Sequence, residues 1–260
     1  PGGDRPWAVP RSALLPLKGA SLTLIRRYFI SGSVLAGGAV TFPHAFRAGS
    51  ADWGLTFKIS LAQWSLIRAF FGGSLDPVDF ARIARKKFGL EGIEYVNQFY
   101  FDTLNDALVS ELRKRADGEG VTSLLIMVDR EGALGGPDAK SRRQAVENHY
   151  RWADAARSLG CHSIRVNAQS KGSWDEQMKL AADGLNQLAE YCGKLGLNVL
   201  VENHGGLSSN AEWLAGVMKT ADNPRVGTLP DFGNFVIDRE TGESYDRYKG
   251  TRELMPWARA

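Results

Sequence analysis

From residue 55 onward, apolar runs of strand length alternate with longer segments in which apolar residues recur at helical spacing. The run SLLIMV at 123–128 has no polar alternation after its first residue, which is typical of a strand buried on both faces. Each run is followed by a helical segment, so a strand recurs about every 30 to 40 residues. The predicted strands span residues 57–64, 92–96, 123–128, 163–167, 198–202 and 226–231.

Capping residues mark several of the helices. Asp76 precedes Pro77, as expected of an N-cap followed by the first helical residue. The segment Ser209-Asn210-Ala211-Glu212 has the spacing of a capping box and predicts a helix through Lys219. Long helices are predicted over 138–159 and 174–195, each followed by a glycine, and a last helix near 252–258.

Strands separated by helical crossovers form a parallel sheet. Both a doubly wound open sheet and a (β/α)8 TIM-type barrel fit this pattern, but no Gly-x-Gly-x-x-Gly sequence follows the first strand. Polar residues instead stand at the ends of many strands, and a barrel gathers its site from such ends. We therefore predict an incomplete α/β TIM-type barrel of about six parallel strands. The polar residues are Gln63, Glu94, Asp129, Asn167, Glu202, His204 and Asp231.

Charge separates residues 1–51 from the rest of the chain. The whole chain has 32 basic and 29 acidic residues, a net charge of +3. Six of the basic residues and one of the acidic residues lie in 1–51, so the remaining domain, 52–260, has a net charge of −2. A nucleic-acid-binding domain would present a basic face, and the charge balance therefore argues against a nucleic-acid partner.

The N-terminal segment contains Arg26 and Arg27, followed by the uncharged, glycine-containing stretch 28–46. Paired arginines before a mildly apolar segment resemble a twin-arginine export signal, which predicts an exported, periplasmic protein. The alternative is a buried N-terminal helix, although glycine is unfavourable there. Because a membrane span needs about 20 strongly apolar residues, we expect no stable span after signal removal. Two cysteines, Cys161 and Cys192, form no disulfide framework, and we expect two buried thiols.

The most informative motif is Glu202-Asn203-His204-Gly205-Gly206. Because side chains alternate along a strand, Glu202 and His204 should leave the strand end on the same face, toward the barrel axis. A carboxylate there needs a metal or a cationic partner to replace its lost hydration. The alternatives are a structural ion pair for Glu202 and a hydrogen-bonded rim position for His204.

Asp231, in the sequence LPDFGNF at 229–235, ends the next predicted strand and should lie beside Glu202. Two adjacent carboxylates suit a divalent cation such as Mg²⁺, Mn²⁺ or Zn²⁺. Alternatively, Asp231 caps the following turn. Asn234 would either bond a substrate hydroxyl or form a local turn.

Three further residues are candidates for binding a substrate at the same rim. Arg165 precedes Asn167 by two positions and should share its inward face, where it would need an acid such as Glu202 or Glu94. Trp64 belongs to a set of aromatic residues that would form an apolar wall for a sugar ring, although such residues more often pack in cores or lids.

The sequences GIEYVNQFY at 92–100, VENHGG at 201–206 and LPDFGNF at 229–235 resemble the sugar-phosphate isomerase/epimerase superfamily, the xylose isomerase-like barrels. The resemblance covers residues 55–260 and implies that Glu202 and Asp231 are two ligands of a divalent metal. It also implies that Glu202 is one of two carboxylates that move a proton next to a carbonyl, through an enediolate. The implied function is a metal-dependent isomerase or epimerase acting on a sugar, sugar phosphate or polyol.

Two departures from the family pattern qualify this expectation. Asn234 stands where many family epimerases have a histidine. The family places a His and a second Glu at the ends of two further strands. The chain has six predicted strands and neither of these residues, which suggests a chain truncated at its C-terminus. We therefore expect half a metal site, weak or absent metal binding, and no turnover by this chain alone.

Three other readings remain open at the level of sequence. A carbohydrate-binding barrel without catalysis is the first, and a metal-dependent hydrolase or lyase on the same fold is the second. A DNA-repair endonuclease is disfavoured by the charge of −2. Because open sheet edges favour pairing with other strands, we further expect a homo-oligomer. The expected ligand is a small-molecule carbohydrate of unspecified identity.

Overall fold

The computed structural model describes residues 57–260, and the predicted leader, 1–51, lies outside the described residues. Six parallel strands form one sheet in which they follow chain order. A doubly wound sheet reverses its order at a switch point, whereas strands in chain order are arranged as in a barrel. The predicted α/β fold of TIM-barrel type is therefore confirmed. The strands are β1 Ser60–Ala62, β2 Gly92–Val96, β3 Thr122–Met127, β4 Ser163–Val166, β5 Asn198–Glu202 and β6 Val226–Leu229.

Helices occupy the crossovers between the strands. The cap predicted at Asp76 is present, because its carboxylate accepts the N–H of Val78. A capping box joins Ser173 and Glu176 at the start of the longest helix. The helices are α1 Ile67–Phe71, α2 Phe80–Ile83, α3 Asp106–Glu119, α4 Ala139–Asn148, α5 Tyr150–Leu159, α6 Trp174–Lys194, α7 Ala211–Ala221 and α8 Arg247–Leu254. The predicted capping box at Ser209 is wrong by one residue, since Asn210 caps α7 and accepts the N–H of Trp213.

Several predicted bounds differ from the structure, since β6 ends at Leu229 rather than at 231 and α8 spans Arg247–Leu254 rather than 252–258. The first strand is shorter than predicted, because Gln63 begins a 3-10 helix and its side chain accepts the N–H of Val96 from β2. The long helix predicted over 138–159 is divided at His149. The His149 ring nitrogen Nδ1 lies 2.7 Å from the carbonyl oxygen of Ala145. Because the ring occupies that carbonyl, the backbone N–H of His149 donates to the carbonyl oxygen of Val146. This bond tightens the turn between α4 and α5.

Alternating side chains give the sheet two different faces. Alternate strand residues, including Ile93, Ile164 and Val199, pack in the hydrophobic core between the sheet and the helices. The positions between them belong to the other face, where Arg165 pairs in register with Leu200. Both are buried, Arg165 to 1% relative exposure. The inner face therefore carries a buried charge.

Beyond β6, Ala258 forms one parallel bridge with Thr228, and Arg259 donates its N–H to the carbonyl of Thr228. The segment after α8 thus continues the parallel order of the sheet. Within residues 57–260, no helix is both long enough and apolar enough to cross a membrane. Cys161 and Cys192 are free and buried, as predicted, and burial raises the pKa of each thiol to about 12.

The closest contact between a glycine and its surroundings fixes α6 against the loop after β3. A methyl group added at Gly184 would lie 1.8 Å from the carbonyl oxygen of Leu134. We predict that Gly184→Ala lowers the free energy of unfolding by about 3 kcal/mol or more, because the helix must move away. Urea denaturation measures this change.

Gly118→Ala is the matched control, because an added methyl at this helical glycine has no neighbour within 4 Å. It should raise stability by about 0.5–1 kcal/mol through helix propensity. Equal effects of the two substitutions would contradict the packing described for α6.

Candidate active site

The centre of the candidate site is the guanidinium of Arg165, on β4. Its Nε and Nη2 atoms lie 2.6 and 2.5 Å from Oε2 of Glu202, at the end of β5. Its Nη1 atom lies 2.6 Å from Oδ1 of Asp129, two residues beyond β3. A buried charge requires compensation, and here one cation joins the carboxylates that follow the two neighbouring strands. The ion-pair alternative for Glu202 therefore describes the observed geometry.

Asp129 was placed at a strand end by the sequence, but no role in binding or catalysis was predicted for it. Besides Arg165, it accepts hydrogen bonds from the amides of Asn167, at 2.7 Å, and Gln98, at 3.2 Å. Burial alone would raise the pKa of Asp129, but the charge of Arg165 and the hydrogen bonds from Asn167 and Arg165 lower it below its ordinary value. Asp129 therefore carries a negative charge at neutral pH.

Glu202 and Asp231 converge as the sequence predicts. The amide nitrogen Nδ2 of Asn234 lies 3.1 Å from Oε1 of Glu202 and 3.1 Å from Oδ2 of Asp231. One nitrogen thus bonds both carboxylates, which places their facing oxygens at one point of the rim. Asp231 also caps the following turn, because its Oδ1 accepts the N–H groups of Gly233 and Asn234.

Two buried asparagines hold the backbone at this rim in the same way. Asn203 directly follows β5; its amide nitrogen donates to the carbonyl of Asp231, and its oxygen accepts the N–H of the same residue. Asn97 directly follows β2 and makes the same pair of bonds with Asp129. Both side chains are fully buried. Each asparagine therefore fixes the carboxylate residue that follows the next strand of the sheet.

A model of the xylose isomerase-like TIM barrel family matches residues 83–256, which is more than half of the chain. The chain therefore belongs to the xylose isomerase-like TIM barrel family. The match includes the strands that carry Arg165, Glu202 and Asp231. A search of curated proteins finds no significant match.

Solved structures of the same fold include several xylose isomerase-like barrels. D-psicose 3-epimerase from Clostridium cellulolyticum H10, with D-tagatose, is 16% identical at a TM-score of 0.56; the match covers 70% of this chain and 65% of that one. 3-Keto-D-glucoside 4-epimerase from E. coli is 16% identical at 0.57, over 70% and 71% of the two chains. A barrel from Mycobacterium smegmatis in complex with magnesium is 17% identical at 0.59, over 78% and 73%. The chain thus spans less than two thirds of the length of the first epimerase.

Within this xylose isomerase-like barrel, two of the predicted site residues lie apart from the central group. Glu94 was expected at the end of β2, and that position is wrong, because Glu94 is the middle residue of the strand. It accepts a hydrogen bond of 2.6 Å from Ser60. Trp64 lies in the 3-10 helix after β1, where its ring is 6.3 Å from the ring of Phe99 and is about one third exposed.

His204 is exposed, and its backbone N–H donates to the hydroxyl of Ser208. Its ring lies close enough to Asp129 for its charge to contribute to the lowered pKa of that residue. His149 and His162 lie elsewhere, His149 between α4 and α5 and His162 just before β4. His44 falls outside the described residues.

The donor chemistry at Glu202 and Asp231 fits the divalent cation that the family implies, because hard cations prefer carboxylate oxygens. The number of donors is small. Among residues 57–260, no three His, Cys, Asp or Glu side chains are grouped as metal ligands. In addition, Arg165 and Asn234 already bond the two carboxylates. These two side chains therefore compete with a cation for the same oxygens.

The asparagines at 97 and 203 were missed, although both lie in the sequences GIEYVNQFY and VENHGG. A usable signal was present. In each case an asparagine directly follows a strand, and an aspartate stands two residues beyond the end of the next strand. The pairing of the two residues depends on the register between strands, which the sequence alone does not supply.

Proposed function

We propose that the protein is an isomerase or epimerase of sugars or related polyols that transfers a proton at the carbon next to a carbonyl. The observation that carries this proposal is the convergence of Glu202 and Asp231 on one amide nitrogen at the rim of a xylose isomerase-like barrel. In TIM barrels this rim, at the C-terminal ends of the strands, carries the active site.

Glu202 is the residue suited to move the proton. Arg165 holds its Oε2 through two nitrogens, which fixes the orientation of the carboxylate, while Oε1 has only the longer bond to Asn234. In the proposed step, Oε1 takes the proton from the substrate carbon. The electron pair of the C–H bond then moves into the carbonyl group and forms an enediolate. Delivery of a proton to the neighbouring carbon gives the isomer, and delivery to the opposite face of the same carbon by a second acid gives the epimer.

A divalent cation at Glu202 and Asp231 would act as a Lewis acid and lower the energy of the negative charge that develops on the substrate oxygens. The other parts of the proposal belong to the side chains themselves. Asn203 holds the backbone of Asp231 in place, and the buried Arg165 keeps Glu202 in its position. Positioning of this kind reduces the cost of reaching the reactive geometry.

A second candidate function is a carbohydrate-binding barrel without catalysis. It is favoured by the bonds that Arg165 and Asn234 make to the two proposed metal-binding carboxylates. It is also favoured by the small number of metal-ligating side chains grouped in the described part of the chain. Magnesium bound to a family member of the same fold supports the first candidate.

Exchange of substrate protons with deuterium separates the two candidates. We predict Mn²⁺-dependent exchange at the carbon next to the carbonyl of a ketose, measured by NMR on the full-length protein. Glu202→Gln should lower the exchange rate at least 100-fold, because general base catalysis contributes about 10²–10⁴-fold.

Phe88→Leu is the control for this experiment, since Phe88 is about half exposed and precedes β2, at the opposite end of the strands from the rim. It should retain most of the activity. Exchange that survives Glu202→Gln would remove Glu202 from the mechanism. Binding of sugars without any exchange would favour the binding module.

Asn234 offers a separate test of the cation site. Glu202 and Asp231 would hold a shared cation through their carboxylate oxygens, and the Asn234 amide now bonds one oxygen of each. We predict that Asn234→Ala binds Mn²⁺ about tenfold more tightly than the wild type, because the competing donor is gone. Electron paramagnetic resonance of free Mn²⁺ measures this affinity.

The double variant Asn234→Ala/Asp231→Asn is the control and should lose the gain in affinity. Asn210→Ala serves as a second control, because Asn210 caps α7 and makes no bond to either carboxylate. Unchanged or weaker Mn²⁺ binding by Asn234→Ala would show that the amide does not compete with the cation.

A further inference from the structure

The polar side chains between β3 and β6 have hydrogen-bond acceptors to spare, whereas their donors are largely engaged. Nε of Arg165 donates to Glu202 and Nη1 donates to Asp129, while Nη2 lies 2.5 Å from Oε2 of Glu202. The amide nitrogen of Asn234 donates to both Glu202 and Asp231. The guanidinium and this amide are therefore occupied by carboxylates of the protein itself.

One acceptor of this rim, on Asn167, has no hydrogen-bond partner in the described part of the chain. Its amide nitrogen donates to Asp129 at 2.7 Å, and its oxygen Oδ1 is buried without a hydrogen-bond partner among residues 57–260. The orientation of the Asn167 amide is fixed, because exchanging its nitrogen and oxygen would place Oδ1 against the carboxylate of Asp129. A buried acceptor left unbonded costs about 1–3 kcal/mol, so a ligand that donates a hydrogen bond here gains affinity.

The net charge of the side chains at this rim also determines which ligands can bind. Asp129, Glu202 and Asp231 are three carboxylates, and Arg165 is the one guanidinium among them. The four groups together carry a charge of −2. Asp129 is also partly accessible, since its side chain is 20% exposed, and its Oδ2 has only the 3.2 Å bond from Gln98. An anionic ligand group would meet repulsion from these carboxylates.

We propose that Asn167 Oδ1 and Asp129 Oδ2 form a subsite for the hydroxyl groups of a neutral sugar or polyol, and that this part of the rim excludes phosphate. This inference rests on the proposed function and narrows its substrate class. A hydroxyl donates to the orphaned acceptor of Asn167 and to Asp129. A phosphate ester offers acceptor oxygens and two negative charges, which this subsite does not match.

The test is a titration of the full chain, labelled with ¹⁵N, with D-fructose and separately with inorganic phosphate at constant ionic strength. The side-chain amide signal of Asn167 reports on the subsite. We expect fructose to shift this signal and phosphate at the same concentration to leave it unchanged. Asn167→Ala should weaken fructose binding about fivefold, the loss expected for one hydrogen bond.

Gln169→Ala is the matched control, because Gln169 follows the same strand and is exposed, and it should bind fructose as the wild type does. Asp129→Asn should bind phosphate more tightly than the wild type, because it removes a charge and frees donors of Arg165 and Asn167. Circular dichroism before and after heating shows whether each variant is folded.

Three results would overturn the subsite. They are a phosphate-induced shift at Asn167 as large as that of fructose, fructose binding that Asn167→Ala leaves intact, and no fructose binding at all. Because the titration needs no turnover, its outcome is independent of the deuterium exchange. If fructose binding depends on Asn167 but no substrate proton exchanges with deuterium, the subsite is supported and the proposed reaction is rejected.

Discussion

The buried guanidinium of Arg165 is the constraint on which the arrangement of the rim depends. It lies on the inner face of the sheet, almost without exposure, and joins Glu202 to Asp129 through two short hydrogen bonds and an ion-pair contact of 2.5 Å. Removing such a cation from water is costly, and the cost is offset only where partners of opposite charge and good geometry are present. The carboxylates that follow β3 and β5 are therefore held together by β4, which lies between them. Loss of Arg165 would leave two buried carboxylates without a cation, whereas loss of either carboxylate would remove a hydrogen-bond acceptor of the guanidinium.

The asparagines at 97 and 203 supply the second layer of this organisation. Each bonds both backbone groups of an aspartate that follows the neighbouring strand, and each is fully buried. Backbone polar groups away from water need partners. The two asparagines therefore stabilise the loops and at the same time fix the positions of Asp129 and Asp231. The same bonds thus serve both the stability and the geometry of the rim. This explains how loop residues hold carboxylates at well-defined places.

The sequence predicted the order and number of strands well, because each strand is a nearly continuous apolar run followed by a helical segment. It also predicted that Glu202, Asp231 and Asn234 lie together, since they follow consecutive parallel strands. Other details were wrong for local reasons. Glu94 is in mid-strand although its motif suggested an end, and His149 divides a continuous helical pattern by bonding a carbonyl with its ring. The bonds from Asn97 and Asn203 to the backbone, and the pairing of Asp129 with Arg165, depend on the register between strands. This register is a property of the folded sheet.

The most direct test of the role of Arg165 is a double-mutant cycle on the free energy of unfolding, measured by urea denaturation at pH 7. Arg165→Met keeps much of the side-chain volume and should destabilise the protein by about 3 kcal/mol or more, because it leaves buried carboxylates unpaired. Glu202→Gln should be destabilising in the wild type but neutral or stabilising in the Arg165→Met background. Equal effects of Glu202→Gln in the two backgrounds, within about 0.5 kcal/mol, would contradict the account.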